Sequence, residues 1–261
     1  MTVRLVVFAV CLIGLLTWEA RRPARSPDRR RWAGNFALGA LDTVLLRLVV
    51  AGGLTGVAAW GQAAGTGVAD GWPAVAVGLP ALDLAVYVQH RLLHRWSWLW
   101  RWHRVHHTDR SVDVSTALRF HPVEAVLSLA IKAAVVLAIG VPPAGVLAFE
   151  LWLSTCALFN HTNTRLPPAA EWWLRRALIT PDLHRIHHSV RQHEHNRNFG
   201  FSVCWWDRLF GSWCPQAHGG HGALRLGLTD RAAPRRLIDL LAEPFRGAAN
   251  PTRPPTPETP P

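Results

Sequence analysis

Long apolar stretches separated by short polar ones dominate the first two thirds of the chain. Five runs stand out, over residues 3–18, 36–60, 72–89, 123–141 and 144–160. A helix needs about 20 mainly apolar residues to cross the hydrocarbon core of a bilayer, so each run reads as a membrane helix or a large part of one. The last two meet at Val141-Pro142-Pro143, a turn signal that folds them into a re-entrant or full hairpin. The first is followed by Trp-Glu-Ala-Arg-Arg, a poor cleavage site and a good stop-transfer signal, which favours a retained helix over a signal peptide. From Pro244 the chain turns Pro-rich and ends in PTRPPTPETPP, a composition that cannot bury enough apolar surface to fold. The expected organisation is an N-terminal membrane helix with an Arg-rich loop over residues 1–32, one all-α membrane domain over 33–243, and a disordered tail over 244–261. The fold class is therefore a helical bundle of about four to five membrane-spanning or re-entrant helices, capped by helices on one side.

Composition agrees with a membrane setting. Hydrophobic residues make up 49% of the chain and charged ones 17%, more apolar than a soluble domain of this size. Many of the 14 Trp sit where an apolar run meets an Arg-rich one, as interfacial anchors do. The net charge of +11 raises nucleic acid as a partner, but the basic residues flank apolar runs and accompany no recognisable nucleic-acid module, so none is expected. Six Arg lie between Arg21 and Arg31, while residues 61–71 hold no Lys or Arg. By the positive-inside rule the former segment is cytoplasmic, and counting passes puts every later histidine and the C-terminus on that same side. The four cysteines, Cys11, Cys156, Cys204 and Cys214, form no C-x-x-C pattern and read as reduced structural residues.

Chemistry is concentrated in three histidine clusters: HRLLH at residues 90–94, HRVHH at 103–107 and HRIHH at 184–188. Residues at i, i+3 and i+4 share one helix face, so His90 with His94, His103 with His106 and His107, and His184 with His187 and His188 should each present their rings in one direction. His161, ending the fifth apolar run, is a ninth candidate. An octahedral ion takes six ligands and a tetrahedral one four, so eight or nine convergent imidazoles imply two ions. Upstream, Asp83 and Tyr87 fall on the face of His90 and His94, where an intramembrane carboxylate is placed to bond a ligand's outer nitrogen. Lys132 and Glu150, on opposite arms of the hairpin, suggest an ion pair. His121, before Pro122 and with Glu124 three residues on, reads as a capped helix start. His193 and His195 lie in a polar stretch without helical constraint, and His218 and His221 among glycines read as solvent-exposed.

With these residues the sequence resembles the fatty acid hydroxylase/sterol desaturase superfamily, from about Leu82 to Trp213. The likeness rests on the three boxes in order, on Arg-Phe-His-Pro-Val-Glu and His-Thr-Asn between them, and on the trailing Asn-Phe-Gly and Trp-Trp-Asp-Arg-Leu-Phe-Gly. It implies that residues 33–243 form a catalytic domain holding a non-haem di-iron centre, which uses O2 and external electrons to hydroxylate or desaturate a lipid C–H bond. It carries the metal role onto His90, His94, His103, His106, His107, His161, His184, His187 and His188, and makes Asn163 a supporting residue. Breaking an unactivated C–H bond needs an oxidant that side chains lack, and iron supplies it where zinc, redox-inert, would only stand in after purification. The implied partners are a bilayer lipid and a separate electron donor, ferredoxin or cytochrome b5-like with its reductase. The implied location is the cell (inner) membrane. A histidine-rich metal transporter is the alternative from another class, disfavoured because the boxes lie at one membrane face instead of along a path through it.

Overall fold

In a computed structural model, residues 2–229, 231 and 233–247 are described; the tail expected beyond 247 lies outside them. All its elements are helices, and among the described residues the β pairing is limited to two isolated bridges. The helices in chain order are α1 (Thr2–Arg21), α2 (Trp32–Val49), α3 (Gly53–Ala63), α4 (Gly71–Arg95), α5 (Ser97–His107), α6 (Pro122–Ile139), α7 (Pro143–His161), α8 (Pro168–Leu174), α9 (Pro181–His187), α10 (Gln192–His195), α11 (Trp205–Leu209) and α12 (Leu237–Ala242).

Four segments are long and apolar enough to cross a membrane: 3–21, 29–63, 71–95 and 122–139. The second is broken, which the unbroken apolar run over 36–60 did not announce. Val50 is extended and Gly52 and Gly53 sit at φ 84° and 61°, a left-handed corner that glycine adopts at low cost, so α2 ends and α3 starts afresh. The expected hairpin is present as α6 and α7. Pro122 opens α6 with His121 Nδ1 accepting from the Val123 amide at 3.2 Å, and Gly140 closes it at φ 87°. A side chain at Gly140 would strike the Ala69 carbonyl at 2.3 Å, so this corner needs glycine for space as well as for backbone freedom.

The bundle core joins Leu54 and Ala58 of α3, Leu82 and Val86 of α4, Leu129 and Val136 of α6, and Val146 and Phe149 of α7. Outward faces stay apolar: Val3, Leu5, Val6, Val10 and Ile13 of α1 are all exposed. In water this would be costly. Against lipid tails it is neutral, and helices then associate through close packing and polar contacts.

The ends of α1, α4 and α7 and the starts of α2 and α6 meet at one end of the bundle, where the shorter helices form a cap. Buried polar contacts lock it. Glu19 accepts from the amides of Val114 (3.2 Å) and Asn163 (3.0 Å). Arg31, the last of the six Arg in the basic segment, is buried and pairs with Asp109 at 2.6 Å and with Asp113. Burial alone would raise the Asp109 carboxyl, but Arg31, Arg119 and the Thr116 hydroxyl outweigh it and hold the group below its ordinary range. Arg119, fully buried, donates to the Val105 carbonyl (2.9 Å), Asn35 Oδ1 (2.9 Å) and Thr108 Oγ1 (2.7 Å). Residues 244–247, assigned to the tail by composition, belong to the cap: Pro244 is buried and Phe245 packs edge-on against Trp102.

Candidate metal centre

At the capped end of the bundle the nine histidines come together. α4 ends with Trp96 extended at φ −101°, ψ 119°, a corner that turns α5 back so that its histidines face those of α4. α9 starts on Thr180, whose hydroxyl accepts from the Leu183 amide, with Pro181 in the first turn. It lays the third box against the first two, and His161 arrives at the last turn of α7. All nine side chains are buried, and their ligand atoms fall into two groups. His90, His94, His103, His107 and His187 form one; His106, His161, His184 and His188 form the other.

The division cuts across the boxes, which were expected each to point one way. In HRVHH, His103 and His107 go to the first group and His106 to the second; in HRIHH, His184 and His188 go to the second and His187 to the first. Successive residues are about 100° apart around a helix, so i+4 lies about 40° to one side of i and i+3 about 60° to the other. The i+3 histidine of each cap helix crosses to the other group.

In the first group the ring centroids of His90, His103, His107 and His187 close a circuit with sides of 4.8, 4.9, 4.7 and 4.5 Å. His94 stands over it at 5.1, 5.0, 4.8 and 4.7 Å from the same four. The second group is a circuit of four, His106–His161–His184–His188, with sides of 4.9, 4.3, 4.8 and 4.6 Å. Its diagonals are longer, 6.4 and 5.5 Å.

The Nε2 atoms point inward. His103 Nε2 lies 3.0 Å from that of His90 and 3.2 Å from that of His107, while His184 Nε2 lies 2.9 Å from that of His161 and 3.2 Å from that of His188. Two ligands at right angles on an ion about 2.0–2.1 Å away stand about 2.9 Å apart, so this spacing fits a shared cation. Without one, lone pairs would face each other. Both nitrogens of His94, Nε2 of His187, and Nδ1 of His106, His107, His184 and His188 are buried without any hydrogen-bond partner, a further sign that the donor set suits transition metals. Burial holds the cap imidazoles neutral, as ligands must be: His103 is pushed down to about 3, and His106, His107, His184, His187 and His188 fall well below the ordinary histidine value.

Outer contacts fix several rings. His90 Nδ1 bonds the Phe199 carbonyl at 2.7 Å, His187 Nδ1 the Arg197 carbonyl at 2.8 Å, and His161 Nδ1 the Ala157 carbonyl at 2.6 Å. His103 Nδ1 meets Glu124 Oε1 at 2.8 Å. In each case Nδ1–H is the donor and Nε2 is left free to ligate. Asp207 supports this at one remove: it accepts from the Phe199 and Gly200 amides at 2.8 Å and from the Ser212 hydroxyl at 2.6 Å, and burial pushes its carboxyl up to about 6.

The residues expected to support the ligands lie elsewhere. Asp83 accepts from the Ser202 hydroxyl and from Trp206 Nε1 at 2.7 Å; the Tyr87 hydroxyl meets Ser212 Oγ at 2.7 Å, with its ring stacked on Phe210; Asn163 exchanges bonds with the Arg25 backbone at 2.9 and 3.1 Å. None of these hydrogen bonds goes to a histidine ring. Glu124, read only as a cap, is the carboxylate that touches a ligand. Its position three residues after His121 was visible, but nothing in the sequence showed that His103 would lie opposite. His195 packs 4.7 Å from His94 and 4.5 Å from His107, whereas exposed His193 packs near His218 and His221 pairs with Asp182 at 3.4 Å. Glu150 forms its direct ion pair with Arg4, and the expected partner Lys132 stays close enough for the two charges to attract.

Beside the cage, a cavity of about 280 Å³ runs among α2, α4, α6 and α7. Its lining includes His90, Phe120 and Phe201 at the cage end and Lys132, Leu153 and exposed Ser154 toward the side of the bundle. Phe120 stacks on His106 at 4.5 Å and Phe201 lies 5.1 Å from His90, so the two aromatic rings flank the place where the cavity reaches the cage, with His90 itself in its wall.

A family model described as fatty acid hydroxylase matches residues 75–212. The chain is 30% identical over 183 residues to ornithine lipid hydroxylase of Rhizobium tropici, an alignment covering 67% of this chain and 52% of that protein. It is 29% identical over 143 residues to alkylglycerol monooxygenase of Danio rerio and 28% over 138 residues to that of Homo sapiens, covering 52% and 50% of this chain but 29% and 28% of theirs. The chain thus spans about half the length of the first relative and under a third of the other two. No solved structure matches it.

Proposed function

The chain belongs to the fatty acid hydroxylase family, and from that premise we propose that it is a membrane-bound di-iron oxygenase that hydroxylates a lipid C–H bond. The observation that carries the reading is the pair of buried histidine groups, five and four, at the inner end of a cavity within the bundle. His90, His94, His103, His107 and His187 would hold one ion, and His106, His161, His184 and His188 the other. Two irons there would supply the oxidising power that side chains lack, so that O2, two electrons and two protons convert C–H to C–OH and release water.

The protein's own part is to bind, orient and exclude. Bonds from Phe199, Arg197, Ala157 and Glu124 aim imidazole nitrogens inward. Trp100, Phe120, Phe199 and Phe201 pack around the rings and keep bulk water from the oxidising site. The lipid would enter laterally from the bilayer past Ser154, and its class is that of the relatives, an amino-acid lipid or an alkylglycerol. The basic 21–31 segment supports a cage on the cytoplasmic side of the cell membrane, where a separate donor, ferredoxin or cytochrome b5-like, would deliver electrons.

Metal analysis of protein purified without chelators should find two irons per chain, with zinc as the replacement when iron is scarce. Comparing the lipids of a deletion strain, its parent and a strain carrying His103→Ala by mass spectrometry should reveal one lipid lacking a hydroxyl in the first and third. Iron-loaded protein that accepts electrons yet oxidises no host lipid would sink the proposal.

A further inference from the structure

Most of the cavity lining is apolar, yet three of the lining residues each carry a buried oxygen without a hydrogen-bond partner: Asp42 Oδ1, Gln89 Oε1 and Glu124 Oε2. They come from three helices, α2, α4 and α6, and their residues are only 9%, 7% and 4% exposed. A buried acceptor without a donor is expensive, and folded proteins leave few of them. Three around one space point to a ligand that brings hydrogens. Two are tied to the cage itself, since Gln89 precedes His90 and the other oxygen of Glu124 bonds His103. Ionisable side chains at membrane depth mark binding sites by default.

We propose that the cavity takes the donor-bearing portion of a polar lipid, an amine or hydroxyl with its neighbouring carbons, in preference to a bare hydrocarbon chain. Asp42, Gln89 and Glu124 accept its N–H or O–H groups and so bring a carbon close to that group to the cage. Lys132, about 12 Å from Glu124 at the rise of α6, lines the same space and suits an acceptor further along the molecule. An alkyl tail would satisfy none of these atoms. The inference rests on the reading of the cage as the oxidising centre, because that makes the nearby end the reacting end.

Its test measures binding, with or without turnover. Protein in phosphatidylcholine nanodiscs is equilibrated with radiolabelled hexadecylamine, hexadecanol or hexadecane. Saturable binding of the amine and the alcohol, about tenfold or more tighter than hexadecane, is expected, the equivalent of at least one satisfied acceptor. Asp42→Leu combined with Gln89→Leu should erase the preference while leaving hexadecane binding and metal content unchanged; Glu124 is kept because it touches a ligand. Should the double change unfold the chain, Gln89→Met, of similar shape, should lower the preference by about threefold. Hexadecane binding as tightly as the amine, as water-filled acceptors would allow, or a preference that survives in the folded variants, overturns the inference. A clear preference in iron-loaded protein that oxidises nothing would instead count against the enzymatic reading and leave the binding inference standing.

Discussion

The two histidine groups share the same two cap helices yet are held differently. In the five-membered group three rings are fixed from outside, His90 and His187 by carbonyls of the 197–199 turn and His103 by Glu124. In the four-membered group only His161 has such a bond, to its own helix, while His106, His184 and His188 have unpartnered Nδ1 atoms and His106 leans on Phe120. Directional hydrogen bonds hold three of five rings in one group, with His94 and His107 left to packing, and one of four in the other. Hydrogen bonds fix a ring's rotation; a packed face permits it to turn. The first ion should therefore be bound the more tightly, and the second should be the one whose surroundings adjust.

The largest expected effect breaks the first group outright. His103→Ala removes a ring that bonds Glu124 and meets the Nε2 atoms of two neighbours, so one iron of two should be lost with activity, as metal analysis and turnover would read. Glu124→Ala comes next: outer partners of metal-bound histidines are worth about 10–100-fold in metal affinity, and the loss should fall on one ion only. Chelator challenge, counting irons released quickly and slowly, checks it. Phe120→Ala should act on the other group, speeding release of the second iron by about tenfold or less, since it removes packing and no bond. If both ions leave faster in either variant, the contrast between the groups is wrong.

Acid gives a graded test. His103 titrates near 3 in the folded chain against an ordinary value near 6.5, so between those limits the unfolded chain binds a proton that the folded one refuses. The associated stability is complete above about 6.5 and is lost as pH falls toward 3. In metal-free protein, tryptophan fluorescence should report loss of the fold across that window and not above it. The smallest effect is expected for Tyr87→Phe, which loses one hydrogen bond to Ser212 outside both groups: about 1 kcal/mol in unfolding and no change in metal content.

How much the sequence disclosed follows from how local each feature is. Apolar runs and box spacing are local, so the helical bundle and the nine histidines were legible. The break at Gly52–Gly53 hid inside a run of uniform hydropathy, because apolar content does not record backbone direction. Distances between segments were not legible either. Asp83 and Tyr87 lie on the helix that carries His90 and His94, but their partners, Ser202, Trp206 and Ser212, come from more than a hundred residues away. Glu124 looked like an ordinary cap for the same reason: its partner His103 sits on another helix. The polar residues of the cavity are single positions on separate helices and leave no spacing pattern at all.

The crossing of His106 and His187 means that neither pocket belongs to a single segment of chain. α5 and α9 are interlaced like the fingers of two hands, so cutting out either box whole would strip rings from both pockets at once, whereas a change at a single ring reaches one.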